Sequence, residues 1–200
     1  MKVYKFEPRA FASNSFAITQ DNKNCILIDC GEEEAVRRCE AFNLKINAVL
    51  LTHGHFDHVG GCALAAAKGA KIFCGQKEKD LIYSKDYLNL FGGVSFERFE
   101  IEDTLKEGEY DICGFKVRVI ETAGHTAGGI TYLIGDSLFT GDTLFEGSVG
   151  RTDLPTGDWD TLESSVKKLY KLKGDYKIYC GHGEDTTLSS ERKYNQFIRE

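Results

Sequence analysis

Short apolar runs separated by polar turns fill the first half of the chain and predict a series of β-strands. The pattern predicts strands over Lys2–Glu7, Ser15–Gln20 and Cys25–Asp29, the last two joined by a polar turn. A continuous apolar run over Ile46–Thr52 is typical of a strand that is buried on both faces. Strands therefore come first in hairpins and then alternate with helices along the chain.

Helical periodicity predicts the elements between and after these strands. Acidic residues open the helix predicted over Glu32–Asn43, where the helix dipole favours negative charge. An apolar stripe predicts an amphipathic helix over Asp158–Lys171. The other predicted elements are helices over Gly60–Lys68, Gln76–Leu88 and Ser189–Arg199, and strands over Ala70–Cys74, Phe115–Glu121, Ile130–Ile134, Ser137–Thr140 and Lys177–Cys180. This order favours the α/β class, with two mixed sheets packed together and helices outside, over one parallel sheet.

Length and composition narrow the class of protein. A chain of 200 residues has room for one domain, and we predict a single domain over residues 1–200. Its hydrophobic fraction of 42% and charged fraction of 28% are ordinary for a globular protein and exclude a disordered chain. The net charge of −6, without any long basic run, argues against a nucleic acid or an anionic membrane as the main partner. The oligomeric state is left open.

The cysteines and the first residues indicate a compartment. None of the seven cysteines stands in a C-x-x-C pair, and most lie within apolar runs, which favours buried reduced thiols over disulfides or a thiolate metal site. Met1–Arg9 lacks the apolar core of a signal peptide, and no stretch approaches the ~18 apolar residues of a membrane span. We therefore expect a cytoplasmic protein.

All five histidines of the chain occupy the same kind of position. Each follows the end of a predicted strand, in a glycine-containing segment, where loops carry functional groups on a rigid scaffold. They are His53, His55, His58, His125 and His182. Histidines that only fill a core or a surface would also fall inside helices and strands, so this placement indicates a functional site.

The spacing of the first three histidines predicts two adjacent metal sites. In an extended segment residues i and i+2 point the same way, so His53 and His55 can converge on one cation. Asp57 and His58 follow where the chain turns, so they can face a neighbouring point only a few ångströms away.

Three residues from the second half of the chain can complete these sites. His125 can join the first ion and His182 the second, while the two carboxylate oxygens of Asp142 can contact both. Two metal ions ~3.5–4 Å apart can share a hydroxide, which is the arrangement used for metal-assisted hydrolysis. Nitrogen and oxygen ligands without thiolate suit Zn, Fe(II) or Mn and differ from a structural zinc site.

These residues stand in segments that resemble the metallo-β-lactamase superfamily, and within it the glyoxalase II-like (hydroxyacylglutathione hydrolase-like) metallo-hydrolases. The segments are Thr-His-Gly-His-Phe-Asp-His-Val-Gly-Gly at 52–61, Thr-Ala-Gly-His-Thr at 122–126, Phe-Thr-Gly-Asp at 139–142, Gly-Arg-Thr-Asp-Leu-Pro at 150–155 and Gly-His-Gly at 181–183. The resemblance runs over nearly the whole chain. It implies a four-layer αββα sandwich of two mixed β-sheets.

The resemblance also implies a site and a reaction. The implied ligands are His53, His55 and His125 for one metal, Asp57, His58 and His182 for the other, and Asp142 between them. The expected cofactor is two divalent ions per chain, Zn first, with Fe or Mn as alternatives. A metal-bound hydroxide would attack the carbonyl of a small thioester of the hydroxyacyl-thiol type, or of a related ester. Asp57 and Asp142 are the expected catalytic carboxylates, because Asp57 can orient the hydroxide.

Departures from the family pattern limit what the resemblance implies. Asp142 stands where secreted zinc β-lactamases with a cysteine ligand would have that cysteine. Only about 18 residues follow His182, so we expect the C-terminal helical domain that grips glutathione in full-length glyoxalase II to be missing. Glutathione as the physiological thiol is therefore left open.

Two alternatives remain at this point. Arg151 can bind a substrate carboxylate bidentately, or it can pair with Asp153 and brace the loop.

Persulfide dioxygenases share the fold and much of the histidine and aspartate pattern but use one iron and molecular oxygen. The glycines around His182 and the presence of Phe56 are closer to the hydrolases, so the dioxygenase is the second hypothesis.

Overall fold

Two six-stranded mixed sheets form the framework of the computed structural model, which describes residues 1–9 and 11–199. The chain divides into two units, Met1–Leu105 and Lys106–Glu200, and each unit contains one of the sheets. The α/β class with two mixed sheets and helices is thereby confirmed. The single domain over residues 1–200 stays a prediction.

The first unit contains a sheet in the order β1-β2-β3-β4-β5-β6 and five short helices. The strands are β1 (Lys2–Phe6), β2 (Ser15–Thr19), β3 (Asn24–Ile28), β4 (Lys45–Leu50), β5 (Lys71–Gly75) and β6 (Asp103–Leu105). The helices are α1 (Glu33–Ala41), α2 (Phe56–Val59), α3 (Cys62–Ala67), α4 (Glu78–Ile82) and α5 (Lys85–Leu90). The first three strands pair antiparallel, and β3 to β6 pair parallel.

The parallel part of this sheet determines where its loops meet. Strands β3, β4 and β5 run in the same direction, so their carboxyl ends lie at one edge of the sheet. The chain leaves β4 at this edge toward residues 53–58, which we call the ligand loop. The apolar residues that precede the loop, such as Val49, Leu50 and Leu51, are fully buried. The loop is therefore attached to a well-packed part of the sheet.

The second unit contains a sheet in the order β14-β13-β10-β9-β8-β7, a small hairpin and two helices. The strands are β7 (Gly108–Ile112), β8 (Phe115–Glu121), β9 (Ile130–Ile134), β10 (Ser137–Gly141), β11 (Leu144–Phe145), β12 (Ser148–Val149), β13 (Lys177–Cys180) and β14 (Thr186–Thr187). The helices are α6 (Trp159–Tyr170) and α7 (Leu188–Tyr194). Strands β10 and β13 are parallel, whereas β9 is antiparallel to both β8 and β10, so β8, β10 and β13 end at one edge.

Most predicted elements appear within one or two residues of their predicted bounds, and the differences have local causes. The single helix predicted over Gln76–Leu88 is two helices, because Ser84 caps a second one by accepting a hydrogen bond from the Tyr87 N–H. Strand β8 was predicted, but its partner β7, and with it the hairpin of the two strands, was not. Its turn residues Cys113 and Gly114 both have positive φ, as a tight hairpin requires, but Cys-Gly is a weak turn signal.

The cysteines follow the prediction of buried, reduced thiols. Six of the seven are buried, Cys113 is exposed, and no disulfide occurs in the part of the chain that the structure describes. Burial raises the pKa of the Cys62 thiol and raises that of Cys74 to about 12, so both remain protonated at neutral pH. Over residues 1–9 and 11–199, no helix is both long and apolar enough to span a membrane.

Candidate metal centre

Three imidazole rings of the first unit pack together in the ligand loop. The ring centroid of His53 lies 4.6 Å from that of His55 and 4.0 Å from that of His58. All three residues are buried. His55 has extended backbone, whereas Asp57 and His58 belong to the short helix α2, whose turn redirects the chain. The backbone of the loop therefore turns after His55, where the spacing predicted that the chain turns.

A buried carboxylate fixes the orientation of His58. Asp29 follows the carboxyl end of β3, is 1% exposed, and accepts a hydrogen bond from His58 Nδ1 at 2.8 Å. It also accepts hydrogen bonds from the backbone N–H and the hydroxyl of Thr52, each at 2.8 Å. Because the Nδ1 atom of His58 donates its proton to a carboxylate, its Nε2 atom carries the lone pair that a metal ion requires.

The same carboxylate determines the tautomer of His53 through Thr52. A hydroxyl has one hydrogen, and Thr52 donates it to Asp29 Oδ2. Toward His53 Nδ1, which lies 3.1 Å away, the Thr52 oxygen therefore accepts. The proton of His53 is on Nδ1, and Nε2 again carries the lone pair.

Three side chains of the second unit converge in the same manner. His125 follows β8, Asp142 follows β10, and His182 follows β13, at the edge where these strands end. His125 Nε2 lies 3.6 Å and His182 Nε2 lies 3.5 Å from Asp142 Oδ2. Both Nε2 atoms thus lie near the same oxygen of Asp142, as expected of a carboxylate that could serve two ions.

Close packing of the backbone holds His125. Its Nδ1–H donates to the carbonyl oxygen of Arg151 at 2.7 Å, and because a carbonyl can only accept, Nε2 carries the lone pair. The preceding Gly124 has a φ of +135°, and a Cβ there would lie 2.3 Å from backbone atoms of Leu162. A Cβ on Gly150 would lie 1.9 Å from the carbonyl oxygen of Asp142. Only glycine fits at these two positions.

His182 is the most accessible of these histidines, with a side chain 43% exposed. Its loop is bound to the buried Cys180, whose Sγ lies 3.0 Å from the carbonyl oxygen of His182 and 3.1 Å from that of Glu184. A carbonyl can only accept, so the thiol is the donor, and its single hydrogen is shared between the two oxygens. The buried Cys180 side chain therefore contacts the turn that carries His182.

Arg151 and Asp153 form a bidentate ion pair on the surface. Arg151 Nε and Nη2 each donate to one carboxylate oxygen of Asp153 at 2.6 Å. This hydrogen-bonded guanidinium lowers the pKa of Asp153 to about 2. The pair matches the bracing alternative for Arg151, and contact with a substrate carboxylate stays a prediction.

Three residues near the ligand loop had no role in the sequence interpretation: Asp29, Thr52 and Glu78. Glu78 is 1% exposed and accepts a hydrogen bond from the N–H of Gly54. A charged residue at the end of an apolar run, as in Ile-Leu-Ile-Asp over 26–29, was the available signal for Asp29. Tyr87 stacks on His55 with ring centroids 4.8 Å apart and planes 10° apart.

The chemistry of these side chains fits divalent metal ions. Seven side chains of the described residues belong to groups that offer one imidazole nitrogen or carboxylate oxygen each as a metal ligand: His53, His55, Asp57, His58, His125, Asp142 and His182. In three of the imidazoles Nδ1 carries the proton and donates it to an oxygen atom, which leaves the Nε2 lone pair available to a metal ion. Metal-ligating histidines are oriented in this way by acceptors behind them.

Comparison with known proteins decides the family. The family model described as the metallo-beta-lactamase superfamily matches residues 8–182. The chain belongs to the metallo-beta-lactamase superfamily. It is 38% identical over 200 residues to the hydroxyacylglutathione hydrolase GloC of Haemophilus influenzae, covering 94% of each chain. The resemblance proposed from the sequence motifs is confirmed.

Two solved structures extend this comparison to the fold of the superfamily. The B3 metallo-beta-lactamase BLEG-1 has a TM-score of 0.92 and 28% identity, with 100% of both chains covered. The protein TTHA1623, solved in a di-iron-bound form, has a TM-score of 0.84 and 29% identity, covering 99% of this chain and 100% of that one. The metallo-beta-lactamase fold is confirmed. Family, hydrolase relative and donor set together support a metal-dependent hydrolase.

Proposed function

We propose that this chain hydrolyses small thioesters of the hydroxyacyl-thiol type, or related esters, with two divalent metal ions. The observation that carries the proposal is the histidine and carboxylate donor set, with its Nε2 atoms presented by hydrogen bonds on Nδ1. The relative named hydroxyacylglutathione hydrolase supports the thioester as substrate class. The expected partner is a small molecule, and the expected compartment is the cytoplasm.

The candidate ligands would hold two ions in this proposal. His53, His55 and His125 would hold the first ion, and Asp57, His58 and His182 would hold the second. Asp142 would contribute its carboxylate to both. The superfamily match extends from residue 8 to residue 182 and includes every one of these residues. When bound, the ions would supply Lewis acidity at the substrate carbonyl and would lower the pKa of water.

The side chains have separate tasks in the reaction. The Asp57 carboxylate is 21% exposed, so it can orient an attacking water and accept its proton. His182 is the ligand that solvent and substrate reach most easily. A thiolate leaves readily, so no strong general acid is required on the leaving-group side. The Arg151 side chain would bind a substrate carboxylate only after leaving Asp153.

Zinc is the first choice of metal, with iron or manganese as alternatives. Imidazole and carboxylate ligands accept all three, and the relative structure TTHA1623 is described as di-iron-bound. Elemental analysis of protein purified without chelator should find about two ions per chain. Reconstitution of chelator-treated protein with each metal then identifies the ion that restores activity.

The decisive assay measures thiol release from lactoylglutathione and from a simpler hydroxyacyl thioester without oxygen. Release by the wild-type chain, and its loss in Asp142→Asn, is expected. Asp136→Asn, an exposed aspartate in the β9–β10 turn, is the matched control and should retain activity. A β-lactam and a persulfide with oxygen-uptake measurement complete the panel. Hydrolysis of the β-lactam alone, or oxygen uptake without thioester cleavage, would overturn the proposal.

A further inference from the structure

A buried glutamate lies directly behind the ligand loop, although nothing in the reaction requires it. Strands β4 and β5 are parallel neighbours, so the segments that follow them emerge at the same edge of the sheet. His53 follows β4, and Glu78 opens helix α4 after β5. The topology therefore brings Glu78 to the backbone of the ligand loop from 24 residues away.

The contact between Glu78 and the loop is short and enclosed. Glu78 Oε2 accepts the hydrogen bond of the Gly54 N–H at 2.6 Å. A Cβ on Gly54 would lie 3.1 Å from this oxygen and 2.9 Å from the Ile82 side chain. Gly54 is the single residue between His53 and His55, so Glu78 holds the His53–Gly54 peptide, the first of the two peptides that link these histidines.

A second contact from the same segment acts on the neighbouring residues. Tyr87, 1% exposed in helix α5, stacks on His55, and its hydroxyl accepts a hydrogen bond from the Phe56 N–H at 3.4 Å. Residues 54, 55 and 56 are thus each contacted by the segment from Glu78 to Tyr87. The ligand loop is held from outside as well as by Asp29.

We propose that Glu78 is a positioning residue for the metal ligands and acts through the hydrogen bond that it accepts from Gly54. The inference rests on the proposed metal site. The His53–Gly54 peptide lies between the two histidines. Its rotation would therefore change the direction of the His53 imidazole relative to that of His55. The bond therefore keeps two ligands preorganised for one ion. Loss of an outer partner of this kind lowers metal affinity about 10–100-fold.

Three variants of the full chain test this role. Glu78→Ala removes the acceptor, and Glu78→Gln keeps an oxygen that can accept the same hydrogen bond. We expect Zn²⁺ affinity, measured by competition with a chromogenic chelator, to fall about 10–100-fold in Glu78→Ala. Glu78→Gln should stay within about threefold of wild type. Denaturant unfolding of the metal-free proteins measures the structural cost separately.

Glu191 supplies the matched control. It is also buried, 2% exposed, and accepts the N–H of a glycine, Gly147, at 2.9 Å. Glu191→Ala should lower the free energy of unfolding but leave Zn²⁺ affinity within about twofold of wild type. An equal loss of affinity in both alanine variants would assign the effect to general destabilisation and overturn the proposal.

The amide of Gly54 gives a readout that needs no metal. Its proton, donated to a carboxylate at 2.6 Å, should resonate downfield in the NMR spectrum of the metal-free protein and move upfield in Glu78→Ala. Wild-type affinity in Glu78→Ala would refute the inference while leaving the proposed function intact. So would a loss in Glu78→Gln as large as that in Glu78→Ala. A wild-type chain that binds no metal would refute both.

Discussion

Asp29 supports both the fold and the orientation of two candidate metal ligands, so its replacement should affect both. It accepts three hydrogen bonds, from Thr52 N, Thr52 Oγ1 and His58 Nδ1, each at 2.8 Å, and it is almost fully buried. Its φ is +53°, a conformation that asparagine tolerates far better than alanine does. Asp29→Asn therefore changes the carboxylate and leaves the backbone unstrained.

The size of the effect follows from the number of donors. An amide accepts on one side only, so at least one of the three buried donors would face an NH2 group in Asp29→Asn. One unsatisfied buried donor costs about 1–3 kcal/mol, so the free energy of unfolding of the metal-free protein should fall by that amount. The orientation of His58, and of His53 through Thr52, is weakened as well. Metal affinity should fall about 10–100-fold, which equals about 1.4–2.7 kcal/mol.

Two measurements distinguish these contributions. Urea unfolding of chelator-treated protein gives the cost to the fold, and Zn²⁺ titration at neutral pH gives the cost to binding. At saturating metal both costs add, so the metal-bound variant should lose more stability than the metal-free one. Asp21→Asn is the matched control, because the exposed Asp21 carboxylate also accepts two backbone N–H bonds, from Lys23 and Asn24. Its metal affinity should equal that of wild type.

One result would refute this reasoning. If Asp29→Asn lowered the unfolding free energy of the metal-free protein but bound Zn²⁺ as tightly as wild type, the carboxylate would support the fold alone. The assignment of the Nε2 atoms of His53 and His58 as the ligand atoms would then lose its main support.

The remaining predictions concern metal removal, acid, the cysteines and the loop of His182. Chelator-treated protein should melt at a lower temperature than the metal-bound form, and readdition of metal should restore the melting point. Acidification through the ordinary histidine pKa of ~6.5 should release the metal, measured by elemental analysis after dialysis; full retention at about pH 4.5 would contradict histidine ligation. Ellman's reagent should react with one thiol, Cys113, in the native chain and with all seven after unfolding. Cys180→Ala should lower thioesterase activity more than Cys74→Ala, a matched buried cysteine, and Cys180→Ser should recover it because serine keeps the donor; equal activity of the two alanine variants would contradict this.

The candidate ligand positions could be singled out from the sequence because their signal is local. A strand ends where its apolar run ends, and the polar residues that follow are at the edge of a sheet. His125 after Glu121 and His182 after Cys180 were found in this way, and the ends of β8 and β13 confirm the strands on which that reasoning depended. The spacing of His53 and His55 needed only the alternation of side chains in extended backbone.

The residues behind the ligands could not be found by the same reasoning, because their positions depend on strand order. Asp29 contacts Thr52 across 23 residues and Glu78 contacts Gly54 across 24, and both contacts exist only because β3 and β5 are the parallel neighbours of β4. Apolar periodicity identifies a strand but does not say which strands lie beside it. The local sequence therefore indicates the candidate ligands. The hydrogen bonds that set their tautomers depend on the order of strands in the sheet, which the local sequence does not give.

This difference has a consequence for how the metal site tolerates change. A substitution at His55 removes a candidate metal-ligand atom. A substitution at Glu78 or Asp29 leaves every ligand atom present and alters only the direction of some of them. The two kinds of variant should differ in their response to metal concentration. Excess Zn²⁺ should restore occupancy in Asp29→Asn, since a 10–100-fold weaker site still fills when the metal concentration is raised in proportion. In His55→Ala the first ion would have one ligand fewer, so the same Zn²⁺ concentration should restore less occupancy than in Asp29→Asn. Equal recovery in both variants would show that the direction of a ligand matters as much as the number of ligands.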